Sequence, residues 1–127
     1  MISTERNTLP KSEIISGKTA IGTLMAHGSW GVCGCIKYCF YKNPDPNPNR
    51  IMVSAPKKFF KRAVKRNLLK RRMREAYRTS KSMLAQQGID MLLYYNTPTV
   101  YSSKEIKESV QAALAAISTR TGNEQVS

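Results

Sequence analysis

APKKFFKRAVKRNLLKRRMREAYR, residues Ala55–Arg78, is the stretch around which the rest of the chain reads. Eleven of its side chains are Lys or Arg and only Glu75 is acidic, so it is the main source of the chain's net charge of +13. Placed on a helix at 100° per residue, Asn67, Arg71, Arg74 and Arg78 fall along one stripe with Lys70 beside them, and Leu69, Met73, Ala76 and Tyr77 fall opposite. The spacing therefore predicts a long helix, about Ala63 to Leu84 and ended near Gly88, with one face for a core and the other for a polyanion. A single-sign face of about four turns repels itself in the free protein, and phosphate would relieve that repulsion. Binding through it should weaken steeply with salt as counterions are released. Asn67, the polar exception in the stripe, can donate to phosphate or read a base edge.

Outward from this helix the chain alternates elements of one small domain. RIMVSA, residues 50–55, is a strand that stops at Pro56. IDMLLYY, residues 89–95, is a nearly continuous apolar run, as expected of a strand covered on both faces. WGVCGCIKYCFY, residues 30–41, reads as a further strand, with Cys35, Lys37, Cys39 and Tyr41 on one side and Ile36, Tyr38 and Phe40 on the other. KNPDPNPN, residues 42–49, is too rich in proline to be a strand interior and reads as an exposed loop. Pro10, Ser12 and Glu13 signal a first helix, whose stripe of Ile14, Ile15, Ile21, Leu24 and Met25 is interrupted by Gly17 and Gly22 and so predicts one or two short turns. Ser102 and Glu105 form a capping-box pattern, and Ile106, Val110, Leu114 and Ile117 carry an amphipathic helix to about Ser118.

The order is helix, two or three strands, long helix, strand, helix. That is an α+β fold with a single small, mostly antiparallel sheet and helices packed against it. Residues 1–8 read as a flexible tail, 9–118 as one α+β domain and 119–127 as a second flexible tail. At 127 residues with 41% hydrophobic and 23% charged residues, the chain is a folded basic module rather than a disordered one. No apolar run approaches the about 20 residues of a membrane span, and no secretory signal opens the chain, so a cytoplasmic location without membrane association is expected.

Cys33, Cys35 and Cys39 fit reduced thiols in that compartment. As a strand they would share one side, with about 7 Å between the first two, unlike the tight knuckles of zinc sites, and they read as packing residues rather than metal ligands. One histidine, His27, with Asp45 in the loop and Asp90 in a buried strand, offers no acid and base pair for a protein nuclease.

With these residues in view, AVKRNLLKRRMREAYR resembles the signature of the bacterial ribonuclease P protein subunit, a pattern of the form RNxxKRxxRE. The preceding SAPKK resembles the family's strand end and turn, and LPKSE near the N-terminus its usual opening, so the resemblance runs from about Leu9 to Leu114. Leu68 stands where the family often has a second arginine. The resemblance implies a ribosomal S5 domain 2-like fold with a left-handed βαβ crossover. It also implies a role as accessory subunit: the RNA subunit, with Mg²⁺ bound mainly by RNA and substrate, removes the 5′ leader of precursor tRNA, and the protein alone is inactive. Its partners would be the ribonuclease P RNA and precursor tRNA, with no obligate protein partner. Arg66, Asn67, Lys70, Arg71 and Arg74 match the family's RNA-binding motif, flanked by Lys57, Lys58, Lys61, Arg62 and Lys65. The family also holds the leader in a cleft between the first helix and the sheet. Tyr38 and Phe40 are candidates for stacking under leader bases there, or else core aromatics. Ile21 and Met25 stand on a first helix that is often aromatic in the family, which implies a less stacking-rich cleft. A ribosomal or ribosome-assembly protein is the alternative that composition leaves open. A DNA reader fits less well, because no helix-turn-helix spacing precedes the basic helix.

Overall fold

The computed structural model describes residues 14–15, 18–42, 49–84 and 88–126, with side chains to Arg120. The first-helix start signal at Pro10–Glu13, residues 1–8, LPKSE and the proline-rich stretch 43–48 lie outside the described residues. The elements are α1 (Lys18–His27), β1 (Ser29–Cys33), β2 (Ile36–Lys42), β3 (Arg50–Ser54), α2 (Ala63–Ser80), a 3₁₀ turn (Lys81–Met83), β4 (Ile89–Tyr95) and α3 (Ser103–Val126). Four strands form one mixed sheet in the order β1-β2-β4-β3. β1 and β4 each pair antiparallel with β2, and β3 pairs parallel with β4, so that β3–α2–β4 is a βαβ unit.

The stretch 30–41 is a hairpin, not one strand. Gly34 turns it with φ +58°, a conformation side chains with a Cβ avoid. Cys33 pairs with Ile36 across that turn. The alternation expected from Ile36 onward is present: Ile36, Tyr38 and Phe40 face one core, Cys39 and Tyr41 the other.

Two layers of helix cover the sheet. On one face Leu69, Met73, Ala76 and Tyr77 of α2, with Ile106, Val110, Ala113, Leu114 and Ile117 of α3, are buried in a continuous core with Ile51, Met91, Leu93 and Tyr95. This is the apolar face expected of the basic helix. Helix α2 ends at Ser80 in the 3₁₀ turn, a turn short of the predicted Leu84, and Gly88 (φ +78°) leads into β4. β4 is covered on both faces, as its apolar run predicts. On the other face α1 seals a smaller cluster of Ile15, Leu24, Cys39 and Leu92. Gly28 lets this helix end close on the sheet, since a Cβ there would meet Cys39 Sγ at 2.3 Å and the Leu24 carbonyl at 2.4 Å.

Ile14 and Ile15 are extended rather than helical. Ile14 bridges Ile51 in parallel and the Ile15 amide donates to the Ile51 carbonyl at 3.0 Å, extending the sheet at its β3 edge. An amide bonded to a strand carbonyl is unavailable to a helix. The capping box is formed: Ser102 Oγ accepts the Glu105 amide at 3.2 Å and Glu105 Oε1 accepts the Ser102 amide at 3.4 Å. Helix α3 then runs past Ser118 to Val126.

Candidate nucleic-acid interface

A short turn carries the chain from β3 into α2. The Phe59 and Phe60 amides both donate to the Pro56 carbonyl at 3.2 Å. Phe60 is buried against Tyr95, with ring centroids 5.8 Å apart. This anchor leaves Lys57, Lys58, Lys61 and Arg62 exposed around the N-terminus of α2, Lys58 with its Nζ over the Phe59 ring at 5.0 Å. The first turn of α2 holds no acid and Arg62 at its N-cap makes no side-chain cap bond. The positive end of the helix dipole and four cations thus face solvent together, an arrangement that favours an anion.

Along α2 the outer face carries Asn67, Arg71 and Arg74, all exposed, with Lys70 half-buried at its flank, and Lys65 is exposed on another side of the first turns. Among the described residues none of these five has a hydrogen-bond or ion-pair partner. Glu75, the one acid on the helix, is held by the Arg78 guanidinium, which raises the affinity of Arg78 for its proton through that hydrogen bond. Arg66 differs from the rest of the motif. Its Nη1 donates to the carbonyls of Phe60 and Lys61, each at 2.9 Å, so it ties the lead-in turn to the helix.

Tyr38 and Phe40 are not on the cleft side. They are 4% and 2% exposed, on the face covered by α3, where the Arg120 guanidinium lies 5.0 Å from the Phe40 ring and donates to Tyr38 Oη at 3.4 Å. The α1 side is the opposite face of the same strands, one residue out of phase, which removes both rings from stacking with any ligand held there.

The register shows which residues take their place. Trp30 opposes Cys39, Val32 opposes Lys37, and Lys37 opposes Tyr94, so all lie on the α1 face. Trp30 is 40% and Val32 59% exposed, and Lys37 Nζ sits 5.1 Å over the Trp30 ring. The α1 helix reaches only the middle of this face, leaving an aromatic and cationic platform beside it. Period-two alternation could have found Trp30, but only once Gly34 was read as a hairpin turn. At the far edge of the sheet Arg74 lines a small hollow with Ile14, Ile15, Ile51, Met52 and Val53, so the basic helix borders the α1 face at the β3 edge.

Among the described residues no three His, Cys, Asp or Glu side chains gather as a metal site, and no helix is long and apolar enough to cross a membrane. Cys35 Sγ donates to Ser109 Oγ at 3.4 Å and Cys39 Sγ to the Leu24 carbonyl at 3.4 Å, on opposite faces of the sheet.

The sequence model of the family described as Ribonuclease P matches residues 9–118. The ribonuclease P protein component of Chlorobaculum tepidum is 38% identical over 93 residues, covering 68% of this chain and 60% of that protein. That of Porphyromonas gingivalis is 36% identical over 102 residues, covering 79% and 74%. The chain thus spans about 60% of the length of the first of these relatives. In fold it is similar to the RNase P protein of Staphylococcus aureus, with TM-score 0.73, 21% identity and coverage of 84% of this chain and 96% of that one. It is also similar to the RNase P protein of Thermotoga maritima, with TM-score 0.71, 20% identity and coverage of 82% and 96%. A mixed four-stranded sheet, a basic stripe on its crossover helix and a family match over residues 9–118 agree: the chain belongs to the ribonuclease P protein family.

Proposed function

We propose that this chain is the protein subunit of a ribonuclease P ribonucleoprotein, which binds the catalytic RNA and the 5′ leader of precursor tRNA and promotes 5′-end maturation of tRNA in the cytoplasm. The observation that carries it is the α2 face of Asn67, Lys70, Arg71 and Arg74, with Lys65 in the first turn, held at a fixed angle to the sheet and without hydrogen-bond or ion-pair partners among the described residues. A row of rigidly spaced cations on a helix suits the phosphates of a structured RNA. Lys57, Lys58, Lys61 and Arg62 extend the same contact around the helix N-terminus.

The leader lies on the α1 face, over Trp30, Lys37 and Tyr94, where aromatic faces stack bases and the ammonium meets a phosphate. Arg74, bordering that face, connects it to the RNA-binding helix.

Phosphodiester hydrolysis belongs to the RNA subunit with Mg²⁺. Mg²⁺ seeks carboxylate and phosphate oxygens in octahedral array. On the basic face the carboxylate is that of Glu75, already bonded to Arg78, so the donor set does not fit a protein-held Mg²⁺. The protein contributes position: its cations lower the repulsion between two RNA chains, and the platform aligns the leader.

Reconstitution tests this. Added to a bacterial ribonuclease P RNA at low Mg²⁺, the protein should restore leader removal from precursor tRNA. Absence of stimulation at every Mg²⁺ concentration would overturn the proposal.

A further inference from the structure

The flank of α2 that faces α3 carries a second feature. A groove of about 390 Å³ runs between the two helices, and Leu68, Ala76 and Thr79 line it. The Thr79 hydroxyl is bonded back to the Glu75 and Ala76 carbonyls at 3.0 and 3.2 Å, which leaves its methyl group for the groove. The lining from these residues is therefore apolar.

The rim is cationic. Arg71 and Arg72 stand on one side, Ser103 and Lys107 on the other. Arg72 is half-buried and its Nη1 donates to the Tyr101 carbonyl at 2.6 Å, so the guanidinium is fixed in place with N–H groups to spare. Glu75, the acid at this rim, is neutralised by Arg78. Arg71 belongs at once to the rim and to the outer stripe, so an RNA strand following Asn67, Arg71 and Arg74 passes the mouth of the groove.

We infer that this groove takes one unstacked nucleotide of the bound RNA, its base against Leu68, Ala76 and the Thr79 methyl and its phosphate between Arg71 and Lys107. Charge complementarity selects an anion, and the volume is that of a small-molecule site. The apolar lining selects an anion with a flat apolar part, which a backbone phosphate alone lacks. Leu68 is decisive: an arginine there would replace the apolar wall with charge. The inference rests on the RNA-binding reading of α2 and deepens it.

The test has two arms. In the first, the full chain is titrated with adenosine monophosphate and, separately, ribose 5-phosphate, followed through methyl resonances. Adenosine monophosphate should move Leu68, Ala76 and Thr79 and saturate at a concentration roughly fivefold or more below that of ribose 5-phosphate, which is what burying about 40 Å² of the base against the apolar lining contributes. Equal saturation, or unmoved methyls, overturns the inference. So does a hexaglutamate peptide that moves the same methyls at lower concentration, since that would mark an acidic protein partner.

In the second arm, Leu68→Ala and Lys107→Ala, each checked by circular dichroism, should each weaken binding to a bacterial ribonuclease P RNA about three- to tenfold. The double variant should lose little more than either, because both act on one nucleotide. If neither changes affinity while Arg71→Ala does, the groove is not used and the RNA-binding reading stands. If Arg71→Ala is also without effect, both fall together.

Discussion

The Arg120 guanidinium lies 5.0 Å over the Phe40 ring and donates to the hydroxyl of Tyr38, closing the sheet face that α3 covers. Its Nη1 also donates to the Trp30 carbonyl at 3.2 Å, so one residue near the end of the helix holds three positions of the β1–β2 hairpin. Two consequences separate the faces of the sheet. Arg120→Ala should lower stability by about 1 kcal/mol, the range of a partly exposed cation–π contact with its hydrogen bonds. It should also reduce helicity by circular dichroism. Phe40→Leu should likewise change the denaturation midpoint and leave affinity for precursor tRNA alone.

Trp30→Ala should do the reverse. Its ring is 40% exposed on the opposite face, so little core is lost. Affinity of the holoenzyme for precursor tRNA should fall by about 1–3 kcal/mol if one leader base stacks there. Mature tRNA, which has no leader, should bind unchanged. A loss equal for both substrates would remove Trp30 from the leader path.

Within the basic motif Arg66 and Arg71 should part company. Arg66 holds the carbonyls of Phe60 and Lys61, whereas Arg71 is exposed and has no partner among the described residues. Arg71→Ala should weaken RNA binding, lower the slope of log Kobs against log salt by about 1, and keep the native unfolding midpoint. Arg66→Ala should also cost stability, about 1–2 kcal/mol for two partly exposed charge-assisted bonds. Arg66→Lys should recover little of it, because a single ammonium does not reproduce the guanidinium fork. Urea denaturation beside filter binding at several salt concentrations distinguishes the two.

What could be read from the sequence follows from how local the signal is. The two faces of α2 were legible because periodicity and charge repeat within the helix itself, and the Ser102–Glu105 cap because two residues three positions apart define it. The hairpin is not evident in the sequence because Gly34 alone punctuates it, between two cysteines in a run of small and aromatic residues. The single slip of reading 30–41 as one strand hid Trp30. Tyr38 and Phe40 stand together on one side of β2 as the alternation predicts, yet which side faces α1 is a property of the whole sheet, set by α3 and by Arg120, the latter 80 or more positions away in sequence. The groove at Leu68 was equally out of reach, since Lys107 and Ser103 meet α2 only after the chain has folded.

Arg50 and Asp90 hold the βαβ unit in register. They are partners in the parallel β3–β4 ladder, and the guanidinium binds the carboxylate through two bonds of 2.8 and 2.7 Å, with Asp90 3% exposed. Asp90→Ala should destabilise by about 1–3 kcal/mol, below the about 3–5 kcal/mol of a fully buried pair because Arg50 can rehydrate. The double variant Arg50→Met with Asp90→Leu should recover much of this loss, because no unpaired charge remains. Chemical denaturation of the three variants measures it, and a double variant no better than Asp90→Ala would show that the pair is worth more than its desolvation costs.

The three thiols should react in an order set by burial. The thiolate is the nucleophile. Burial pushes the Cys39 thiol from its ordinary 9.0 up to about 11, and its Sγ already donates to the Leu24 carbonyl. Cys33 is half-buried at the hairpin turn and Cys35 is buried beside Ser109. Iodoacetamide at pH 8 should therefore modify Cys33 first and Cys39 only on unfolding. The same shift carries a sign for stability. A raised thiol value means that the unfolded chain ionises first, so the contribution of Cys39 is complete below pH 9 and is lost as pH rises through about 11. Burial raises the Tyr95 hydroxyl in the same direction. The unfolding midpoint should thus be flat from pH 7 to 8 and fall from pH 9 upward, and Cys39→Ala should start lower but fall less steeply. A Cys39→Ala variant with an unchanged alkaline slope would place the loss on other groups.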